Sequence, residues 1–133
     1  MVESSKSTLS MILGLRTAAY PAPDLAKAKT WYTQAFDVAP YFDEPFYVGF
    51  NIGGFELGLV PDAPGSRPPA GVVALWGVDD VAVEYARLLG LGATAHDAPK
   101  DVGGGITIAS VLDPFGNILG LIHNPQFDPK LVR

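Results

Sequence analysis

The sequence contains no cysteine and only two histidines, His96 and His123. The absence of cysteine excludes disulfide bonds, thiolate metal sites and cysteine nucleophiles. It is compatible with a reducing cytoplasm, where we expect the protein to be located. Basic residues are also few: 9 Lys and Arg against 14 Asp and Glu give a net charge of −5, so we expect no nucleic-acid partner. No apolar run approaches the roughly 20 residues of a membrane-spanning helix, so we expect no membrane partner.

The composition indicates a folded domain. The 133 residues suffice for one domain or for two half-domains that share a core, because a chain of this length buries roughly two-thirds of its unfolded surface. Hydrophobic residues make up 48% of the chain and charged residues only 17%, which excludes a disordered protein. Residues 1–10 are polar and lack the apolar core of a signal peptide. We expect them to form a flexible tail, and we assign residues 126–133 to a C-terminal tail.

Residues 11–60 predict a unit with the order βαβββ. An apolar stretch, Met11–Tyr20, precedes Asp24, whose carboxylate can accept a backbone N–H of a first helical turn. Apolar residues then recur at helical spacing, and the helix is expected to end near Pro40. Two turn sequences, Glu44-Pro45 and Gly53-Gly54, separate three predicted strands. These strands lie around Ala39–Asp43, Phe46–Ile52 and Phe55–Val60.

Residues 70–125 repeat this order after a proline-rich linker at residues 61–69. A predicted strand, Gly71–Val78, leads to Asp80 as the second helix cap, and the glycines after the helix terminate it. Three strands follow, near Ala93–His96, Ile106–Leu112 and Asn117–His123. The closing strands of the two units also match each other, with Leu57-Gly58-Leu59-Val60 against Leu119-Gly120-Leu121-Ile122. Such an internal repeat is stronger support for the fold than either half alone.

The turn Asp113-Pro114-Phe115-Gly116-Asn117 and the hydrophobic strand after it carry a family resemblance. They resemble the last hairpin of the glyoxalase/bleomycin-resistance/dioxygenase superfamily, also called vicinal oxygen chelate proteins. The resemblance covers nearly all of Met11–Pro125. It implies an α+β fold in which two βαβββ modules form curved mixed sheets around a cavity, with the helices on the convex faces. A ferredoxin-like pair and an unrelated α/β sandwich are the alternatives, which the turn disfavours.

The same resemblance implies where a metal would bind. In metal-using relatives, the first and last strands of each module each contribute one ligand. The corresponding positions in this chain are Thr17, Val73, Gly120 and, in the first module, either Gly58 or Glu56. Zinc, nickel, iron and manganese need imidazole, carboxylate or thiolate donors, and this set offers at best one carboxylate and one hydroxyl. We therefore predict no metal and no other cofactor.

The two histidines do not restore such a site. His123 lies three residues after Gly120, so strand alternation turns it to the opposite face. His96 is predicted on a middle strand of the second module, away from the point of convergence. We expect an edge or surface position for both.

Five aromatic residues lie within ten positions of the first module, and one carboxylate stands in an otherwise apolar strand close to them. The aromatic residues exceed what the packed face of a small sheet needs, so those on the concave face are expected to line a cavity for a planar or aromatic ligand. A dimer interface would use the same residue types. Glu56 is the carboxylate, and it can act as a general base or pair with a cationic ligand. The aromatic residues are Tyr41, Phe42, Phe46, Tyr47 and Phe50.

These patterns support three functional hypotheses. The first is metal-independent binding of a small organic ligand, aromatic or planar, by a homodimer. The second is a glyoxalase-like lyase or isomerase, or a dioxygenase-related enzyme, with Glu56 as general base and catalytic residue. The third is a structural module whose cavity is filled by its own side chains. The predicted ligand-binding residues are Thr17, Tyr41, Phe42, Phe46, Tyr47, Phe50, Glu56, Val73 and Gly120.

Overall fold

The computed structural model describes residues 15–61 and 73–132. The predicted tail at residues 1–10, the start of the first predicted strand and the linker after Pro61 lie outside the described residues. Two modules follow one another, each with one helix and four strands. The first comprises β1 (Thr17–Pro21), α1 (Leu25–Phe36), β2 (Phe42–Glu44), β3 (Tyr47–Ile52) and β4 (Phe55–Val60). The second comprises β5 (Leu75–Gly77), α2 (Val81–Gly90), β6 (Thr94–Gly103), β7 (Ile106–Leu112) and β8 (Ile118–His123), followed by a 3₁₀ turn at Pro129–Leu131.

The two sheets have the same topology, which confirms the predicted α+β fold of two βαβββ modules. Their strand orders are β1-β4-β3-β2 and β5-β8-β7-β6. In each sheet the first strand runs parallel to the last one, and the remaining pairs are antiparallel. The register pairs Ala19 with Gly58 in the first sheet and Leu75 with Gly120 in the second. Gly58 is therefore the structural equivalent of Gly120, and Glu56 stands two residues before that position.

Both helices begin where the capping aspartates predict. The carboxylate of Asp24 accepts the backbone N–H of Lys27, and that of Asp80 accepts the N–H of Val83, each at 3.1 Å. α1 ends at Phe36 rather than near Pro40, because Asp37 adopts the left-handed conformation (φ 53°) that closes the helix. Neither helix in the described part of the chain has the length and apolarity to cross a membrane.

Several strand limits differ from those predicted. β2 includes Glu44, so the first hairpin turns at Pro45-Phe46 instead of Glu44-Pro45. β6 extends over 10 residues, well beyond the predicted Ala93–His96. Its register shifts three times along β7. A strand at the edge of a sheet tolerates such bulges and the proline at position 99, which is why this segment resembles a loop in the sequence.

The core lies on the helix side of both sheets and joins the two modules. Trp31 of α1 donates its indole N–H to the backbone oxygen of Leu91 at 2.8 Å. Trp76 of β5 donates to the phenol oxygen of Tyr20 of β1 at 2.9 Å. Large side chains such as these contribute roughly 1.5–3 kcal/mol each when fully buried. Because the modules share their helix-side core, the opposite face of each sheet is left to form a site. We call that opposite face, turned away from the helix, the open face.

Candidate functional site

The open face of the first sheet is defined by the alternation of side chains along β4. Leu57 and Leu59 are fully buried on the helix side, so Glu56 and Gly58 project from the open face. The register places Thr17 of β1 on one side of Glu56 and Asn51 of β3 on the other. Thr17, Glu56 and Asn51 thus form one row across three neighbouring strands.

Two tyrosines hold the carboxylate of Glu56 from either side. The phenol of Tyr41 donates a hydrogen bond to Oε1 of Glu56, and the phenol of Tyr47 donates one to Oε2. Among the described residues, no Lys, Arg or His forms an ion pair with Glu56. Within residues 15–61 and 73–132, the hydrogen-bond partners of this half-buried carboxylate are neutral hydroxyls, and no ion pair neutralises its charge.

Both phenols keep their protons at neutral pH. The pKa of Tyr47 is raised well above the ordinary 10.0, first by burial and then by the hydrogen bond to Glu56 and the negative charge of that residue. The pKa of Tyr41, which is on the surface, is raised chiefly by its hydrogen bond to Glu56. The cluster of Tyr41, Tyr47 and Glu56 therefore consists of two hydrogen-bond donors and one anion, which we call the phenol–carboxylate cluster.

Aromatic rings extend the open face beside this cluster. The ring of Phe42 meets the rings of Phe46 and Tyr47 edge to face, with centroid distances of 6.0 and 5.9 Å. Tyr41 and Phe46 are 62% and 66% exposed, and Phe42 is 38% exposed. Large apolar rings grouped on one exposed face are typical of a ligand-binding or interaction surface. The sequence-predicted residues Thr17, Tyr41, Phe42, Phe46, Tyr47 and Glu56 are thus brought to the same side of the first sheet.

Phe50 does not join them. Its side chain is fully buried, and its ring centroid lies 6.5 Å from that of Tyr32 on α1. Tyr47 and Phe50 are three residues apart on one strand, so they project from opposite faces. The prediction that Phe50 contacts a ligand is therefore corrected, because Phe50 is a core residue.

The metal-ligand positions implied by the family resemblance do not fit a metal. In the first module, a side chain at Gly58 would overlap the phenol oxygen of Tyr47. In the second, a Cβ at Gly120 would lie 2.7 Å from the backbone oxygen of Ala74 and 2.5 Å from a methyl group of Leu75. A longer donor side chain at position 120 would therefore collide with backbone as well as side-chain atoms.

The remaining donors are also unsuitable. Thr17 offers a weak hydroxyl ligand, and Val73, on the open face of the second sheet near Gly120, offers none. Within residues 15–61 and 73–132, no three His, Asp or Glu side chains lie together as a group that could hold a metal ion. Among the implied ligand positions, Glu56 is thus the only one with a carboxylate, and both of its oxygens already accept phenol hydrogen bonds.

The histidines lie apart from the phenol–carboxylate cluster. His123 has the strand parity of the buried Leu121, which places it on the helix side, where its Nδ1 is 3.4 Å from the backbone oxygen of Val78. His96 is on β6, an edge strand rather than the predicted middle strand. Its Nδ1 lies 2.8 Å from the hydroxyl of Ser110 in the second sheet.

A shallow depression of about 190 Å³ opens beside Thr17, Tyr41 and Glu56. It also exposes Arg16 and Asn51, which the sequence did not single out. A two-residue turn at Gly53-Gly54 fixes the register of β3 and β4 and pairs Asn51 with Glu56. This turn in the sequence could therefore have predicted Asn51 as a neighbour of Glu56. No comparable pattern marks Arg16, because it precedes β1. A depression this small covers only part of an aromatic ligand, since ligand pockets are typically about 300–1,000 Å³.

A second depression, of about 410 Å³, lies between α1 and β2. Across it, Lys29 and Asp43 form an ion pair of 2.9 Å. Their charges satisfy each other, and none of the sequence-predicted site residues lines this depression. The open face of the first sheet is therefore the stronger candidate site. On this face the rings of Phe42 and Phe46 lie beside the carboxylate of Glu56, whose two phenol hydrogen-bond donors do not titrate near neutral pH.

Comparison with known proteins agrees with this fold. Residues 14–121 match the sequence model of the Glyoxalase/Bleomycin resistance protein/Dioxygenase superfamily. No curated protein is similar enough in sequence to count as a relative. A glyoxalase-related enzyme from Fulvimarina pelagi is 23% identical, with a TM-score of 0.70 over 86% of this chain and 90% of that chain. A bleomycin resistance determinant encoded on the transposon Tn5 is 24% identical, with a TM-score of 0.65 over 84% and 98%.

A third similar structure is lactoylglutathione lyase from Agrobacterium tumefaciens, which is 22% identical with a TM-score of 0.66 over 86% of this chain and 96% of that one. At such identities the structural similarity establishes the fold alone. The family model covers most of the chain, from β1 into β8. The chain therefore belongs to the glyoxalase/bleomycin resistance protein/dioxygenase superfamily.

Proposed function

We propose that the protein binds a small planar or aromatic organic molecule on the open face of its first sheet, without a metal ion. The observation that carries this proposal is the phenol–carboxylate cluster beside the exposed rings of Phe42 and Phe46. Flat apolar walls contact a planar ligand over a large area at little conformational cost. The carboxylate and the phenols would then fix its orientation through hydrogen bonds.

Metal independence is proposed from the chemistry of the donor set. Gly58 and Gly120 carry no donor, and Tyr47 and Leu75 fill the space that a donor side chain would need. The bleomycin resistance determinant encoded on Tn5 has the same fold, so the fold accommodates proteins named for resistance to an organic compound as well as proteins named as enzymes. The proposal for this chain rests on its own residues.

We further propose that a second copy of the chain completes the cavity. The depression of about 190 Å³ in one module is too small to enclose an aromatic molecule. Exposed apolar side chains lie on the open faces of both sheets, including Phe46 on the first and Leu75, 45% exposed, on the second. Burial of such groups drives homodimer formation. Sedimentation over a range of protein concentrations should show a dimer, and a monomer that still encloses ligand would contradict this proposal.

The second candidate function is catalysis by a lyase or isomerase with Glu56 as general base. Its support is the position of Glu56, a half-buried carboxylate on the open face of an apolar strand. Binding is better supported because both carboxylate oxygens accept phenol hydrogen bonds and the raised pKa values of Tyr41 and Tyr47 make them poor proton donors. If a small substrate is turned over, Glu56→Gln should abolish kcat under this candidate, whereas a variant with a raised KM and an unchanged kcat would exclude Glu56 as the base.

The binding proposal is tested by nuclear magnetic resonance with a panel of planar aromatic compounds in the presence of a chelator. Compounds that bind should shift the backbone signals of β3 and β4. Phe46→Ala should weaken their binding, whereas Val83→Ala, which removes an exposed side chain from α2, should not. Shifts confined to α2 or to the second sheet would place the ligand elsewhere and contradict the proposal.

A further inference from the structure

The negative charge on the open face of the first sheet indicates the charge of the ligand. Glu56 is the anion at the centre of the phenol–carboxylate cluster, and no ion pair among the described residues neutralises it. A half-buried carboxylate that is surrounded by aromatic rings loses part of its hydration. A cationic group from outside the chain would restore more of the lost interaction than a neutral donor, and an anionic group would be repelled.

The hydrogen-bonding capacity of the cluster also favours a cation that carries N–H groups. Tyr41 and Tyr47 each donate their hydroxyl hydrogen to a hydrogen bond with Glu56. The phenol oxygens therefore present only acceptor lone pairs to a ligand. The carboxylate adds further acceptors. The cluster therefore offers several oxygen acceptors and no remaining phenol donor, which complements an ammonium or amidinium group.

The aromatic rings strengthen the same preference. The face of an aromatic ring is electron-rich and attracts a cation within about 6 Å. The ring of Tyr47 links both parts of the site, because its hydroxyl bonds to Glu56 and the ring itself meets that of Phe42 edge to face at a centroid distance of 5.9 Å. If the flat ring of a ligand rests on Phe42 and Phe46, a substituent that extends along the side chain of Tyr47 would reach the carboxylate of Glu56.

We propose that the ligand is an aromatic or planar organic cation whose protonated nitrogen binds Glu56 between Tyr41 and Tyr47. This inference rests on the proposed binding function and specifies the charge of the ligand. Arg16 lines the same depression, and it would lie on the β1 side of the bound nitrogen. The protein would therefore discriminate between compounds of the same shape by the sign of their charge.

Three naphthalene compounds of similar shape test the charge preference by titration calorimetry. They are 2-naphthylmethylamine, which is protonated at neutral pH, neutral 2-naphthylmethanol and anionic 2-naphthoate. The amine should bind about tenfold more tightly than the alcohol, because a hydrogen bond to a charged partner is stronger than one between neutral groups. The naphthoate should bind most weakly. Equal affinity for the amine and the alcohol in the unmodified protein would overturn the charge inference, whatever the behaviour of any variant.

Two matched variants localise the effect. Glu56→Gln keeps the shape of the side chain and should reduce the affinity for the amine to that for the alcohol. Asp43→Asn removes one negative charge from the helix side of the same sheet, where Asp43 pairs with Lys29, and should preserve the preference for the amine. Preference retained in Glu56→Gln, or lost in Asp43→Asn, would overturn the assignment to Glu56. If none of the three compounds binds on β3 and β4, the proposed binding function fails together with the charge inference.

Discussion

The phenol of Tyr47 occupies the space above Gly58 and donates its hydrogen bond to Glu56, two residues earlier on the same face of β4. Gly58 is the structural equivalent of Gly120 and one of the two positions, with Glu56, at which the family resemblance implies a first-module metal ligand. In this chain the same volume holds an aromatic ring, and the neighbouring carboxylate is turned towards two phenols. The absence of a side chain at Gly58 is thus what allows the phenol–carboxylate cluster to form.

The variant Gly58→Ala tests this relationship. The added methyl group would overlap the phenol oxygen of Tyr47, so the ring must move and release Glu56. The pKa of Tyr47 should then fall towards its ordinary value, because the ring loses both burial and the hydrogen bond that raise it. The free energy of unfolding should fall by about 1–2 kcal/mol through loss of a hydrogen bond to a charged group. Titration of ¹³C-labelled tyrosine rings by nuclear magnetic resonance measures the pKa.

Gly77→Ala is the matched control for that experiment. Gly77 lies in β5 with a backbone that any residue can adopt. Apart from its two neighbours in the chain, no described residue has an atom within 4 Å of the position that an added methyl group would take. This variant should leave both stability and the tyrosine titration unchanged. An unchanged pKa of Tyr47 in Gly58→Ala would show that the ring does not rest on position 58.

Truncation of Phe50 and Phe46 should separate the core from the site. Phe50→Ala removes a fully buried ring, and such truncations cost about 3–5 kcal/mol. Phe46→Ala removes a ring that is 66% exposed and should change stability by less than about 0.5 kcal/mol. Urea unfolding measures both values. A small loss for Phe50→Ala would restore Phe50 to the set of ligand-binding candidates.

Asp113 should be among the most sensitive polar positions, because it joins the two modules. Its buried carboxylate accepts hydrogen bonds from the phenol of Tyr32 at 2.6 Å, from the N–H of Phe115, and from the N–H and the side-chain amide of Asn117. Asp113→Ala should cost at least about 3 kcal/mol, since several buried donors lose their acceptor. Asp128→Ala, which only uncaps an exposed turn, should cost about 1 kcal/mol. Similar losses for the two variants in thermal unfolding would contradict this role.

Alkaline pH should destabilise the protein partly through Tyr20. Burial raises the pKa of Tyr20 to about 12, against 10.0 for a free tyrosine. Between these values the unfolded chain releases the proton while the folded chain keeps it, so the unfolded state gains stability as the pH rises. The Tyr20 contribution should be intact below about pH 9 and should fall by about 2 kcal/mol by about pH 12.

Tyr20→Phe isolates that contribution from the other groups that titrate in the same range. The variant loses the hydrogen bond from Trp76 and should be less stable at neutral pH by about 1 kcal/mol. The difference from the unmodified protein should shrink or reverse as the pH rises, which urea unfolding at several pH values would reveal. A difference that stays constant with pH would mean that Tyr20 ionises as easily in the folded protein as in the unfolded chain.

The fold could be predicted from the sequence because its signals are local and repeated. Asp24 and Asp80 each cap a helix, and Gly53-Gly54 forms a two-residue hairpin turn between β3 and β4. These features depend on residues close together in the chain. The length of β6 could not be predicted in the same way, because its proline and acidic residues are tolerated only through its edge position in the sheet.

The site was only partly predictable, because it depends on register between strands. The spacing of Tyr47 and Phe50 shows that they face opposite sides, but only the pairing of β3 with β4 decides which of them shares a face with Glu56. Likewise, the equivalence of Gly58 and Gly120 is established only by the pairing of β1 with β4 and of β5 with β8. The contact between Tyr41 and Glu56 has no periodic signal, since Tyr41 precedes β2 and reaches the cluster through the path of the loop.

The most direct test of metal-independent binding is the affinity for 2-naphthylmethylamine, measured by titration calorimetry on chelator-treated protein and again after zinc, nickel, iron or manganese is restored. The donor set around Gly58 and Gly120 predicts the same dissociation constant in every case, within about twofold, because no ligand contact passes through a metal. Binding that disappears with the chelator and returns with one of these ions would contradict the account.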